Sequence, residues 1–172
     1  MALSISGSSP SFSSYQGGTI TSGTAVATTS GTAITYTSIP SWVKRITVNY
    51  VGVNSGSTTN PLTQLGTSGG IVTTGYSAWG QALATSSTAG AVFSSGLPCL
   101  YVVTNGTFNG VMTWTLLSGN TWVGQGSAIY ASGSAMSVST SSITLASALT
   151  QISFTTTNGA TFSAGSINIL YE

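Results

Sequence analysis

The chain is almost without charge. Among its 172 residues the charged side chains are Lys44, Arg45 and Glu172, 2% of the total, against about 25% in an ordinary globular domain. There is no His and no Asp, and the single acidic side chain is the final residue. A pair of carboxylates for glycoside hydrolysis cannot be assembled from one chain. A Ser-His-Asp triad lacks two of its three members. One Cys and one Glu do not make a ligand set for zinc or iron, and nothing marks a calcium site among carbonyls and hydroxyls. Lys44 or a Tyr acting alone would be a poor basis for acid–base chemistry, which ordinarily needs a matched donor and acceptor. The composition therefore reads as non-enzymatic, with no cofactor and no metal.

Other scarcities narrow the partners. A net charge of +1 disfavours nucleic acid, whose binding rests on several cation–phosphate contacts. Lys44-Arg45 reads as a solvated strand entrance or as an intersubunit contact. Cys99 has no second cysteine to pair with, so no intrachain disulfide forms and the compartment is not encoded. Placed between Pro98 and the apolar Leu100-Tyr101-Val102-Val103, it is expected to pack as a small hydrophobe. No apolar run reaches the roughly eighteen residues of a membrane-spanning helix. Met1–Gly7 lacks the basic and apolar parts of a secretion signal. The expectation is a soluble chain without membrane insertion or export.

What remains is 41% hydrophobic. A chain of this length suits one domain and can bury roughly 70% of its unfolded surface. Ser, Thr, Asn and Gln must supply nearly all of the wetted surface. With little self-repulsion to keep copies apart, association is the natural consequence.

The organising stretch is Ile39–Val51. Pro40 supplies no backbone donor and disfavours helix at Ile39. From Arg45 onward Ile46, Val48 and Tyr50 fall on one face and Thr47 and Asn49 on the other, the two-residue period of a half-buried strand. It is read as an inner strand, with Trp42 covering one end of the core. Residues 1–30 are rich in Ser, Thr and Gly with isolated apolar side chains. They read as an arm or attachment segment, or as a first edge strand, and residues 31–172 as the folded domain.

Along that domain, Thr32–Thr37 forms a short strand and Gly52–Asn60 a loop. Two short strands flank Gly66–Gly70, which lacks the Lys and following helix of a phosphate-binding loop. Gly75–Gly90 has no clear period and reads as a long exposed loop carrying Tyr76 and Trp79. Ala91–Phe93 and Leu100–Thr104 are strands. In Val111–Leu117, Met112, Trp114 and Leu116 alternate with Thr113 and Thr115. Thr121–Tyr130 is a strand with a glycine-interrupted, bulged middle. Met136 and Val138, then Ile143 and Leu145, then Ile152 and Phe154, and finally Ile167, Ile169 and Tyr171 mark further strands. Asn-Gly pairs at Asn105, Asn109 and Asn158 favour tight turns. No stretch has a helical period. Roughly eight to ten short strands predict an all-β protein, an antiparallel β-sandwich of jelly-roll-like order. A β-solenoid is the lesser alternative, because no fixed repeat length occurs.

Ile39-Pro40-Ser41-Trp42-Val43-Lys44-Arg45-Ile46-Thr47-Val48, Gln64-Leu65-Gly66 with Gly69-Gly70-Ile71, Thr74-Gly75-Tyr76, and the closing Ala164–Glu172 together resemble a domain common in tailed-bacteriophage virion proteins. There it often forms the end of tail fibres, and related short proteins occur as separate structural genes. The resemblance spans about residues 30–172, the first and last motifs being the more specific. It implies a β-sandwich, usually trimeric, and a place in the particle. The chain departs from the family at Leu149–Ser163, wholly neutral here where members often carry acidic and basic residues. Contacts between copies would then rest on packing and on hydroxyl or amide hydrogen bonds. The chain also has no long coiled shaft.

The expected function is a non-enzymatic virion structural protein, a tail fibre or receptor-binding appendage assembled in the host cytoplasm, acting as a homotrimer. It would attach to other virion proteins through residues 1–30. Tyr76, Trp79, Trp122 and Tyr130 are candidate contacts to a host surface glycan or another subunit, since aromatic rings beside polar side chains suit stacking on sugars; core packing is the competing reading for each. Lys44 and Arg45 are candidate intersubunit contacts. The alternative is a capsid decoration protein, and a third class is a free carbohydrate-binding module.

Overall fold

The computed structural model describes residues 20–84, 86–99, 106–131 and 133–172. Those residues hold fourteen strands and no helix. In chain order they are β1 (Thr21–Ser22), β2 (Val26–Ala27), β3 (Ala33–Tyr36), β4 (Arg45–Asn54), β5 (Pro61–Thr67), β6 (Gly70–Ile71) and β7 (Ser77–Ala84). Then follow β8 (Thr88–Phe93), β9 (Leu97–Pro98), β10 (Phe108–Ser118), β11 (Thr121–Tyr130), β12 (Ala135–Thr144), β13 (Gln151–Thr156) and β14 (Ala164–Tyr171). The count exceeds the sequence-based eight to ten because β1, β2, β6 and β9 are two-residue pairings, too short to leave a periodic signal.

Two antiparallel sheets result. The larger has nine strands in the order β1-β14-β4-β10-β11-β12-β7-β8, with β2 also on β14; the smaller has five, β3-β13-β5-β6, with β9 on β5. They pack face to face in a sandwich-like arrangement. Ile46, Val48, Tyr50, Met112, Trp114, Trp122, Ile143, Ile167 and Ile169 of the larger sheet share one apolar cluster with Ile34, Leu65, Ile152 and Phe154 of the smaller. Tyr50 lies 5.5 Å from Phe154, ring centre to ring centre, and tilted. The buried indole of Trp114 donates to the hydroxyl of Thr63 at 2.9 Å. Leaving that donor unmet in the core would cost about 1–3 kcal/mol, so Trp114 fixes how the two sheets face each other as well as filling space.

The inner strand expected at Arg45–Tyr50 is β4, flanked by β14 and β10. Its alternation is as predicted, with Ile46, Val48 and Tyr50 buried. The strand runs further than the expected loop at Gly52–Asn60 allows, ending at Asn54. Pairing shifts register beside Gly52 on both flanks, between Phe108 and Gly110 and between Ala164 and Ser166. Gly52 takes φ +62 there, a conformation few L-residues accept, and its N–H donates to Asn109 Oδ1 at 2.7 Å. The added residue returns Val53 to the core. Such a bulge breaks the two-residue period, so the strand looked finished too early.

Gly75–Gly90 is not a long loop: β7 and the start of β8 occupy most of it. Ala78, Gly80 and Ala82 pair in register with Ser141, Ser139 and Ser137, so the inward face is made of small residues and the outward face carries Trp79, Gln81 and Leu83. The apolar period is inverted, which hid the strand. The small residues have a steric reason. A Cβ on Gly80 would sit 2.7 Å from Pro98 Cγ, because β9, paired with β5 in the smaller sheet, packs against this part of the larger one. Trp42 also differs from expectation. It is half exposed, its ring 5.8 Å from that of Tyr171, so it covers the end of β14 from outside the core. The strand expected at Leu100–Thr104 lies outside the described residues. So does most of the arm; its last part, β1 and β2, pairs with β14.

Candidate interaction surface

Among the described residues no strand lies over the side of the larger sheet turned away from the smaller one. Cross-strand register assembles it in rows: Thr47 beside Thr113, Thr113 beside Gln125, Gln125 beside Thr140, and Thr140 beside Trp79. The next row runs from Asn168 through Asn49, Val111, Ser127 and Val138 to Gln81. Val51, Val111, Val123, Ile129, Met136, Val138, Trp79 and Val92 are exposed on this side. Strand residues fold this way because Thr and Val have the same β-branched shape and suit a pleated surface equally. Two shallow depressions mark the face. One of about 350 Å³ is lined by Val111, Thr113, Gln125, Ser127 and Val138. The other, about 440 Å³, lies over Asn49, Val51, Asn109, Ser166 and Asn168.

The charges stand at one end of this face. Arg45 at the start of β4 forms an ion pair with Glu172 just after β14, reinforced by backbone bonds between the same two residues at 2.8 and 3.0 Å. Lys44 donates its backbone N–H to the Glu172 carbonyl at 2.7 Å, and its side chain is exposed. The ion pair is largely solvated, so it is worth at most about 1 kcal/mol. Away from that end the face offers amides, hydroxyls and apolar groups. Among the described residues no cluster of three or more His, Cys, Asp or Glu occurs that could hold a metal.

The aromatic residues singled out from the sequence separate. Tyr76 is 5% exposed and packs edge-on to Trp114 at 6.1 Å. Its hydroxyl accepts from the Leu65 N–H at 2.7 Å and donates to the Leu65 carbonyl at 3.3 Å. Desolvation by burial pushes its hydroxyl well above the usual tyrosine range. Trp122 is 2% exposed in the core. Tyr130 is partly buried against the same cluster. Trp79, 45% exposed, has its ring on the open face. So the structure does not gather these four on one face; it leaves Trp79 exposed on the outer face and buries Tyr76 and Trp122. Asn49, Gln125 and Asn168 were not singled out from the sequence. The signal was their alternation with buried positions of neighbouring strands, readable only once the strand order is known.

Two buried groups have no role at the surface. Cys99 is buried and its thiol is pushed well above the usual range by desolvation, as expected for an inert packing residue. Tyr50 is likewise pushed well up, by burial first and by Cys99 second. The geometry defines a class: an all-β protein of two antiparallel sheets, with a sparsely charged outer face on the larger one. No family model matches the chain, and no curated protein and no solved structure matches it either.

Proposed function

We propose that the chain is a non-enzymatic structural subunit of a tailed-phage virion, most simply a tail-fibre or receptor-binding appendage that works as a homotrimer. The observation that carries this reading is the broad outer face of the nine-stranded sheet, where exposed Val, Ile, Met and Trp side chains alternate with Ser, Thr, Asn and Gln and no ionisable group intervenes. Two such faces meeting away from the Arg45–Glu172 end bury no charge, whose desolvation would otherwise oppose contact. The resemblance of Ile39–Val48 and Ala164–Glu172 to tail-fibre ends supplies the particle context. The repeated crossing of the chain between the two sheets supports a jelly-roll-like connectivity within it. Trp79 and the nearby amides are the groups for a host surface glycan, and the segment ahead of β1 is the attachment to other virion proteins. The alternative, a capsid decoration subunit, draws on the described residues forming one two-sheet body without a shaft.

Immunogold labelling of intact particles separates tail from head. For the appendage reading, recombinant protein is expected to bind host cells and to compete with infection, and Trp79→Ala to lower that binding at least tenfold. Absence of both binding and competition removes the receptor-binding role. Label confined to the head selects the decoration subunit.

A further inference from the structure

The strand β8 reads Thr88-Ala89-Gly90-Ala91-Val92-Phe93. Among the described residues it has β7 on one side and no strand on the other. The hairpin bond from the Ala84 N–H to the Ser87 carbonyl, 3.0 Å, sets the phase of the ladder. In antiparallel pairs alternate residues exchange bonds with the neighbour. Ala89, Ala91 and Phe93 therefore turn their backbone groups toward Ala82, Gly80 and Ala78, their partners in register. Thr88, Gly90 and Val92 turn theirs outward, to the free edge.

Exposed edges in natural sheets are commonly blunted by Lys, Pro or a bulge. β8 has no charge and no proline, and its register on β7 is unbroken. Val92 is 73% exposed. The indole of Trp79 lies across Gly90, where a Cβ would come within 2.8 Å of Trp79 Cζ2. Glycine at that position carries an apolar ring to the rim of the sheet. The segment is also close to a palindrome about Gly90: Ala89 matches Ala91, and Thr88 has the shape of Val92.

We propose that β8 pairs antiparallel with β8 of a second copy of this chain, across a twofold axis at Gly90, so that two nine-stranded sheets become one. Gly90 then exchanges backbone bonds with its counterpart, and Thr88 with Val92 of the other copy. Ala89 stands opposite the second copy's Ala91 at a non-hydrogen-bonded position, and the two Trp79 rings come together on the outer face. The contact is isologous, each copy giving the same patch, and neutrality of the strand leaves no repulsion to overcome. It goes beyond the virion reading and does not depend on it. Because it uses the edge and not the sheet faces, it also joins trimers if those form.

The register gives a specific test. Full-length protein carrying Ala89→Cys is mixed with protein carrying Ala91→Cys and mildly oxidised. Opposed residues of a non-hydrogen-bonded pair stand about 4.5 Å apart at Cα, within disulfide reach, whereas a residue and its own copy stand diagonally, about 7–8 Å apart. The expected result is a disulfide-linked dimer in the mixture and none from either variant alone, with buried Cys99 as a silent control. Adding Val92→Lys to either protein is expected to abolish the cross-link and, in an otherwise native chain, to halve the mass found by light scattering while circular dichroism stays unchanged. No cross-link in the mixture, equal cross-linking of the single variants, or an unaltered mass with Val92→Lys overturns the proposal.

Discussion

At the scale of residues, the inner layer works by pairing very large side chains with missing ones. Trp114 is fully buried because Gly124, its cross-strand partner, leaves the space above it open. A Cβ on Gly124 would lie 2.7 Å from Trp114 Cε3 and 2.9 Å from Leu97 Cδ2. Neither neighbour can retreat, since the indole is held by Thr63 and Leu97 is wedged between the sheets. Gly124→Ala is therefore expected to destabilise by about 1–3 kcal/mol through overpacking. That corresponds to about 2–4 °C of melting temperature per kcal/mol, measurable by calorimetry. A melting point equal to the parent's would mean that β9 is free to shift away. In the sequence the glycine reads as part of a bulged, interrupted strand, but β11 pairs in unbroken register with β10 and β12 through Gly124 and Gly126. The purpose of Gly124 was not legible there, because Leu97 reaches it from a segment distant in sequence.

At the scale of elements, the two edges of the larger sheet are treated differently. β14 is covered by the short strands β1 and β2, with the Gly23 N–H bonded to the Ile169 carbonyl at 2.8 Å and the Thr28 N–H to the Gly165 carbonyl at 2.9 Å. Thr28 is fully buried and its hydroxyl donates to the Ala164 carbonyl at 2.6 Å. Residues 20–28 thus belong to the folded body, and the boundary drawn at residue 30 from composition cuts through it. Removing residues 1–30 is expected to lower stability by a few hydrogen bonds of about 1 kcal/mol each and to expose the β14 edge to aggregation. Removing residues 1–19 leaves β1 and β2 in place and is expected to give a higher melting temperature than removing residues 1–30. Thermal melts of the two truncations, with turbidity followed alongside, check this. Equal melting points would show that β1 and β2 contribute nothing. The other edge, β8, has no such cover among the described residues, which is why self-pairing is proposed there.

At the scale of the whole molecule, the shortage of ionisable groups shapes the response to pH. With no His and one acidic side chain, little proton linkage acts across the mildly acidic and neutral range. Among the described residues the groups that couple to folding include part-buried Tyr36 and buried Tyr50, Tyr76 and Cys99, all pushed upward mainly by desolvation. In the unfolded chain they ionise near 10.0 for Tyr and 9.0 for Cys; folded, they keep their protons to higher pH. The unfolded state then binds fewer protons than the native one, so stability falls as pH rises. Denaturant midpoints are expected to be flat from about pH 5 to 8 and to decline from about pH 9 upward, and Tyr76→Phe to soften the alkaline decline. A midpoint that drops steeply between pH 5 and 8 would contradict the linkage.

By itself the sequence determined the all-β class of fold and which acid–base and metal-ligand sets a single chain cannot assemble. Alternation in Arg45–Tyr50, Val111–Leu116 and Gln151–Phe154 depends only on near neighbours, and the missing acids and bases are visible by inspection. Tertiary structure decided the rest, because burial depends on what a distant segment places over a side chain. Tyr76 and Trp79, three residues apart, end in the core and on the open face because β5 supplies backbone partners for the Tyr76 hydroxyl while nothing described covers β7 from outside. The strand order that sets Gln125 between Thr113 and Thr140 is likewise a property of long-range pairing, which no local pattern carries.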